Sequence, residues 1–398
     1  MSTLASPRAP MTGRAVRSGR WLEDPGFGVY VHIPFCRHRC HYCDFNTYEG
    51  QEELHSAYVE ALVSDIGRWA GPTRPATSVF FGGGTPSLLS SQQLGRVLEA
   101  VQELCGLTPD CEVTVEVNPE SVDEARFEEL LAAGFDRFSI GIQSLAPQVL
   151  SGLGRTHAPE VAWGALRAAR RAGVTDLNAD LIYGSPWERP EDWLLSLESV
   201  IEASPDHVSA YALTVEEGTP LATLVATGRV ADVDGDVQAD RYEVAEIALR
   251  NAGYVRYEIS NWSRPTAASR HNALYWSGGD YLGFGAGAHG HIEGQRWWSL
   301  RLPRDFIAAV SQGSSTEAGF EVLEPARRAA EALMLGLRLT DGIDVAGFAR
   351  RFGPDVLAAK SGVIAQLTDL ALLTEDRGRL RLTGRGTLLA NDVLCRLL

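Results

Sequence analysis

Between residues 28 and 212, short apolar runs rich in β-branched residues alternate with longer stretches whose apolar positions recur at helical spacing. Six runs read as strands, at 28–33, 78–81, 111–117, 137–142, 176–182 and 207–212, with helices near 52–69, 91–105, 123–133, 158–172 and 190–203. Strand and helix in strict alternation predict parallel strands joined by crossover helices, so the fold class is α/β. Six units fall short of the eight of a closed barrel and predict a partial, TIM-like one. Each run ends in a polar or glycine-rich turn, and in such sheets the residues after the strands converge on one ligand-bearing end. Residues 213–320 are less regular, with a helix near 236–251, and are expected to close the barrel's open side. From Ala326 come a helix, a short loop at Asp341-Gly342-Ile343, further helices and two short runs around Asp376-Arg377-Gly378. That is the outline of a smaller winged-helix-like α+β domain. The expected division is a leader at 1–24, a barrel at 25–260, a barrel-closing segment at 261–322 and the C-terminal domain at 323–398.

Composition narrows the function. A chain of 398 residues, 45% apolar, can bury a large core, and its net charge of −15 argues against a general polyanion binder. The C-terminal domain has only a slight excess of basic over acidic residues, so a packing or lid role is preferred to nucleic-acid binding. No apolar run reaches the ~20 residues of a membrane span, which predicts a protein of the cytoplasm, not an integral membrane protein. Arg8, Arg14, Arg17 and Arg20, with no acid among them, predict a disordered basic leader. Lys360 is the only lysine and lies far from every glycine-rich turn, which excludes a Walker-type phosphate loop and Schiff-base catalysis.

Three of the six cysteines, Cys36, Cys40 and Cys43, fall within eight positions at C-x3-C-x2-C spacing after the first strand. Structural zinc takes four ligands, whereas three thiolates on a [4Fe–4S] cubane leave one iron open. The amino and carboxylate groups of S-adenosylmethionine (SAM) could fill that position, and the cluster could then reduce its sulfonium. The competing reading is zinc completed by His32, His38 or His41. Cys105, Cys111 and Cys395 read as small buried apolar residues. Gly82-Gly83-Gly84-Thr85-Pro86 follows the second strand, where bare backbone amides could approach the methionine moiety. Glu116, Gln143, Arg155 and Asp180 lie after successive strands, where they could bond a ribose or pair with a zwitterion; singly, each reads as a loop end or helix cap.

Tyr30 to Phe45, the Gly-Gly-Gly-Thr-Pro turn, Val115-Glu116-Val117-Asn118-Pro119, Ile140-Gly141-Ile142-Gln143-Ser144 and Asp180-Leu181-Ile182-Tyr183-Gly184 together resemble the coproporphyrinogen III oxidase-like radical SAM family. His271-Asn272-Ala273-Leu274-Tyr275-Trp276, with the glycine-rich 279–290, resembles its heme chaperone branch. The resemblance implies a (β/α)6 radical SAM barrel with a winged-helix-like C-terminal domain. It also implies a cluster on Cys36, Cys40 and Cys43, and a SAM site lined by Tyr30, Tyr42, Gly83 and Glu116. In the oxidase branch, positions matching Gly84, Thr85, Gln143, Arg155 and Asp180 hold a second SAM. The oxidase has a further cysteine where this chain has Phe45, which weakens the reading of porphyrinogen oxidation and fits the chaperone branch.

The chaperone resemblance implies heme as cargo and heme-accepting respiratory proteins at the membrane as partners. It makes His271 the expected axial ligand, with Asn272, Tyr275 and Trp276 contacting the macrocycle. The bland reading of His271 is a buried histidine satisfied by its surroundings. His289 and His32 rank lower, because glycine neighbours or a strand position explain them.

Overall fold

The period-two alternation of the six runs assigns each strand an apolar face for the helices and a polar face for the barrel's interior. In the computed structural model, which describes residues 25–398, they form parallel strands β1 (Phe27–Ile33), β2 (Ala76–Gly83), β3 (Leu107–Val117), β4 (Arg137–Gln143), β5 (Leu177–Tyr183) and β6 (His207–Ala212). Val31, Phe81, Val115, Ile140, Leu181 and Ala210 lie on the outer faces and are buried in the main apolar core. The inner faces of β4 to β6 carry Ser139, Asn178, Asp180 and Ser209, which hydrogen-bond across the strands. His207 continues this network, bonding Asn178 through Nδ1 and the Tyr257 hydroxyl through Nε2. A polar lumen is stable only because its groups satisfy one another.

The crossover helices fall where periodicity places them, and the second, Ser91–Cys105, starts on a Ser90/Gln93 capping box. Between β1 and β6 one further helix was not foreseen: Pro147–Leu153 follows β4 and ends at Gly154, at φ 73°. The short helices Pro220–Ala226, Arg270–Trp276 and Pro303–Ser311 in the less regular segment were not foreseen either. Helices this short give too few turns for a periodic signal. Cys111 is buried and Cys105 partly so. Cys395, expected to be buried, is exposed, because the last helix turns Val393, Leu394 and Leu397 inward instead.

The segment expected to close the barrel extends both of its edges. β7 (Val255–Glu258) and β8 (Asn261–Ser263) continue the sheet beyond β6, while β9 (Asp280–Phe284) joins β1 in parallel. The antiparallel strands β10 (His289–Ile292), β11 (Gln295–Ser299) and β12 (Glu317–Val322) run outward from β9. The twelve strands form one sheet whose end strands, β7 and β12, do not pair. The short helix Arg270–Trp276 packs against β1 and β2, with His271 bonded to Ser78 on β2 and Asn272 bonded to Tyr257 on β7.

The C-terminal domain has its own core around Leu333, Ile343, Phe348, Leu373, Leu380 and Val393. Its hairpin, Leu373–Asp376 against Arg379–Leu382, turns through Arg377 and Gly378, both at positive φ, with Ile343–Asp344 as third strand. The domain is tied to the barrel edge: Thr340 N donates to Tyr257 O at 2.9 Å, and Arg351 donates to Ser277 O and Gly278 O. The expected leader at 1–24 lies outside the described residues. Phe138 is fully buried and meets Phe127 edge-on at 5.3 Å. Phe138→Ala is therefore expected to cost about 3–5 kcal/mol, read as a lower denaturant midpoint at unchanged slope.

Candidate functional site

The loop after β1 is held shut by the two-residue strand Phe35–Cys36 pairing with Tyr48–Glu49. Cys36, Cys40 and Cys43 line one cleft at the C-terminal end of the barrel. Each sulfur has a polar neighbour: Thr85 Oγ1 donates to Cys36 Sγ at 3.9 Å, Arg155 Nη1 to Cys40 Sγ at 3.5 Å, and Thr47 Oγ1 lies 3.8 Å from Cys43 Sγ. Three sulfurs each facing a donor form a set suited to anionic thiolates. Burial pushes the Cys36 thiol up to about 11, so without a metal the proton stays on.

Of the three histidines weighed for a zinc site, His32 and His41 are engaged away from the sulfurs, while His38 lines the cleft beside Glu49. His32 bonds Tyr30 OH and Asn46 O, His41 Nδ1 bonds Gly152 O, and His38 lies 3.5 Å from Glu49. Among the described residues no three His, Cys, Asp or Glu side chains converge on a single ion. Sulfurs set apart in one cleft suit thiolates on separate irons better than one shared metal.

The glycine turn does something other than expected. Gly83 N donates to Glu116 Oε2 at 3.1 Å, Gly84 N to Ile33 O at 2.8 Å and Thr85 N to Phe35 O at 2.8 Å. All three amides are engaged within the protein itself. The glycines are needed for closeness: a Cβ on Gly83, at φ +112°, would meet the His32 ring at 2.4 Å, and one on Gly84 would meet Phe35 O at 2.5 Å.

Glu116 and Asp180 face this cleft from the inner sides of β3 and β5, and both carboxyls are raised, first by burial. Asp180 accepts from Ser139 and Asn178, and its charge adds to burial in lifting Glu116 to about 8. Arg155 reaches Cys40, Asn118 and Gly141 O, while its Nε is buried without a hydrogen-bond partner. Gln143 sits at φ 66° on a β4 irregularity, a left-handed backbone that glutamine rarely adopts and that turns it into the cleft. Two buried carboxyls, an arginine with an orphaned N–H and three sulfurs suit a zwitterionic ligand that also carries a cation. Tyr42 and Thr85 complete the wall. Thr47, beside Cys43, was not anticipated, and nothing in its sequence context distinguishes it from a loop residue; Asn118, which holds Arg155, lies in the strand-end motif with Glu116 but was given no role of its own.

A second, larger cavity of about 670 Å3 adjoins the cleft, sharing Phe45, Gly83 and Glu116 with it. Tyr30 lies here, with Phe80, Tyr275, Tyr281 and Trp298, so the walls are mostly aromatic. Phe45 is 63% exposed at the junction.

Residues 30–200 match the radical SAM superfamily and residues 323–389 the HemN C-terminal domain. The heme chaperone HemW of Mycobacterium tuberculosis is 42% identical over 377 residues, 94% of this chain and 95% of that one. HemW of Bacillus subtilis is 31% identical over 370 residues, covering 92% and 97%. The chain belongs to the HemW family of radical SAM proteins. Its fold matches the solved structure of Escherichia coli coproporphyrinogen III oxidase, HemN, with a TM-score of 0.80 at 22% identity, covering 95% of this chain and 92% of that one.

The H-N-x-x-Y-W string by which the chain resembles heme chaperones does not form one binding surface. His271 is 1% exposed, and both ring nitrogens are engaged: Nδ1 with Ser78 Oγ and Nε2 with Tyr275 OH, each at 2.9 Å. It abuts Gly28, near the start of β1, and stacks on Phe80, which lines the aromatic cavity. The expected axial ligand His271 thus presents no free nitrogen in this structure: both are bonded within the barrel core, and burial lowers the ring to about 4 and keeps it neutral. Asn272 bonds Tyr257, and Trp276 packs under Arg338, whose guanidinium carbon lies 4.4 Å from the ring centroid. Of the four, only Tyr275 lines the aromatic cavity.

Because Glu116 titrates near 8, well above the ordinary carboxylate range, its proton is kept on folding and lost on unfolding between about pH 5 and 8. The ligand-free protein should lose stability as pH rises through that window, and Glu116→Gln should raise its melting midpoint at pH 8 by about 2–4 °C. A cationic ligand favours the ionised form, so SAM affinity should rise several-fold from pH 6.5 to 8 in the native chain. Calorimetric titration should find that slope flattened in Glu116→Gln.

Proposed function

We propose that this protein is a cytoplasmic heme chaperone. In this reading it carries a [4Fe–4S] cluster on Cys36, Cys40 and Cys43, binds SAM beside it, and delivers heme to respiratory proteins at the membrane. The observation that carries the reading is the joining of two chemically different cavities: the sulfur-lined cleft meets the aromatic one across Phe45, Gly83 and Glu116. A volume of about 670 Å3 lies within the ~300–1,000 Å3 usual for cofactor sites, and aromatic walls suit a flat, apolar macrocycle.

The chain's own groups divide the work. The three thiols hold the cluster, and Thr85, Arg155 and Thr47 steady their charge. Glu116 and Asp180 take the positive groups of SAM and Arg155 a negative one. When bound, the cluster supplies one electron to a sulfonium. Among the described residues no helix is long and apolar enough to cross a membrane, and the reading places delivery at the surface of membrane-bound acceptors.

A second reading, catalysis on a porphyrinogen, is supported by the gathering of the SAM-binding positions expected from sequence around the two adjoining cavities. Phe45 weighs against it, since an apolar ring stands where the oxidase branch has a cysteine. Anaerobic conversion of coproporphyrinogen III by the reconstituted chain would favour it; absence of turnover is expected.

Two measurements test the chaperone. Hemin titration should saturate near one equivalent per chain, and the loaded protein should pass heme to a heme-free respiratory acceptor; neither result survives if the cavity does not take heme. Cys36→Ala should lose most iron and sulfide after anaerobic reconstitution while hemin affinity changes less than about threefold, under 1 kcal/mol.

A further inference from the structure

Two histidines line the aromatic cavity, His32 and His289. An iron ligand must offer an unengaged ring nitrogen, and His32 offers none. Its Nε2 donates to Asn46 O and its Nδ1 accepts from Tyr30 OH, each at 2.9 Å. His289 differs on every count. It is exposed, neither ring nitrogen has a hydrogen-bond partner among the described residues, and its ring stacks on Trp298 at 5.9 Å and 28°. The stack follows from register, because His289 on β10 lies directly opposite Trp298 on β11. His291, on the same strand, is spent on Gly279 O and Gly294 N.

A charged partner stands at the same wall. Arg301 lines the cavity and is exposed, and its carbonyl accepts from Asn46 Nδ2 and Tyr48 OH, which anchors its backbone. Its guanidinium forms no ion pair among the described residues. An apolar pocket with one free imidazole and one free guanidinium presents what a metalloporphyrin with carboxylate side chains needs: an axial nitrogen, a flat apolar slot and an anion partner.

We infer that His289 supplies an axial nitrogen to heme iron in this cavity and that Arg301 receives a propionate, His271 taking no part in coordination. The inference rests on the heme reading above and names the ligand within it. Burial and the nearby Arg296 and Arg301 lower the basicity of His289, so its ring is in the neutral, coordinating form at neutral pH.

The test uses the full chain titrated with hemin and followed by absorption and electron paramagnetic resonance. His289→Ala should lose the imidazole-ligated signature and weaken binding about tenfold or more, and added imidazole should restore the spectrum. An unchanged melting midpoint is expected, since the side chain is exposed. Arg301→Gln should weaken hemin several-fold but leave the dimethyl ester of hemin, which lacks the carboxylates, bound as by the native chain. His271→Asn, read with its melting midpoint, should keep the imidazole-ligated spectrum. A native chain that takes up no stoichiometric hemin overturns the heme reading and this inference with it. Native binding with an unchanged His289→Ala spectrum and affinity, or a folded His271→Asn that loses the signature, overturns the ligand assignment alone.

Discussion

The structure depends on a barrel lumen whose buried polar side chains must bond one another. Side chains on a strand alternate between two faces, so placing Val31, Phe81, Val115 and Ile140 against the helices sends their neighbours inward. In the lower lumen those neighbours satisfy one another, through Asn178, Ser139, Ser209 and His207. Towards the upper rim they satisfy one another incompletely. Glu116 is buried and faces Asp180, and the single backbone amide it accepts does not offset this, so it holds a proton up to about 8. The fold thereby leaves unmet electrostatic demand at the end where the cysteine loop lies, and a cationic ligand is what meets it.

The cysteine loop and the glycine turn form one construction. Gly84 and Thr85 donate their amides to the carbonyls of Ile33 and Phe35, and the Thr85 hydroxyl points to Cys36. The turn therefore carries the loop's first sulfur, and its lack of side chains lets two backbones approach where a methyl group would collide. Arg155 performs the same service from the far side, bracing Cys40 while bonded to Asn118 and Gly141. Ligand site and scaffold are the same atoms here, which explains why residues from five strand ends act together.

The helix Arg270–Trp276 illustrates how one motif can serve several structural ends. Helical spacing fans its side chains around the axis, so His271 and Tyr275, four apart, share a face while Trp276 points elsewhere. His271 fills the lower lumen, Tyr275 lines the aromatic cavity while its hydroxyl bonds His271, and Trp276 receives Arg338 from the C-terminal domain. Barrel, cavity and C-terminal domain are thus coupled through seven residues.

Sequence by itself determined the order of the six barrel strands and their crossover helices, their bounds to within a few residues, the hairpin at Arg377-Gly378 and the three cysteines, because period, turn chemistry and spacing are local properties. It also indicated which strand ends carry Glu116, Gln143 and Asp180, since chain direction in a parallel sheet sends them to one rim. Tertiary structure alone decided that residues 255–322 extend the sheet at both edges, that the Gly83, Gly84 and Thr85 amides are spent internally, and that His271 is enclosed while His289 stands free. Those outcomes rest on which distant backbone and side-chain groups meet, and a hydrogen bond between residues 193 positions apart, such as Ser78 to His271, leaves no trace in the local pattern of either.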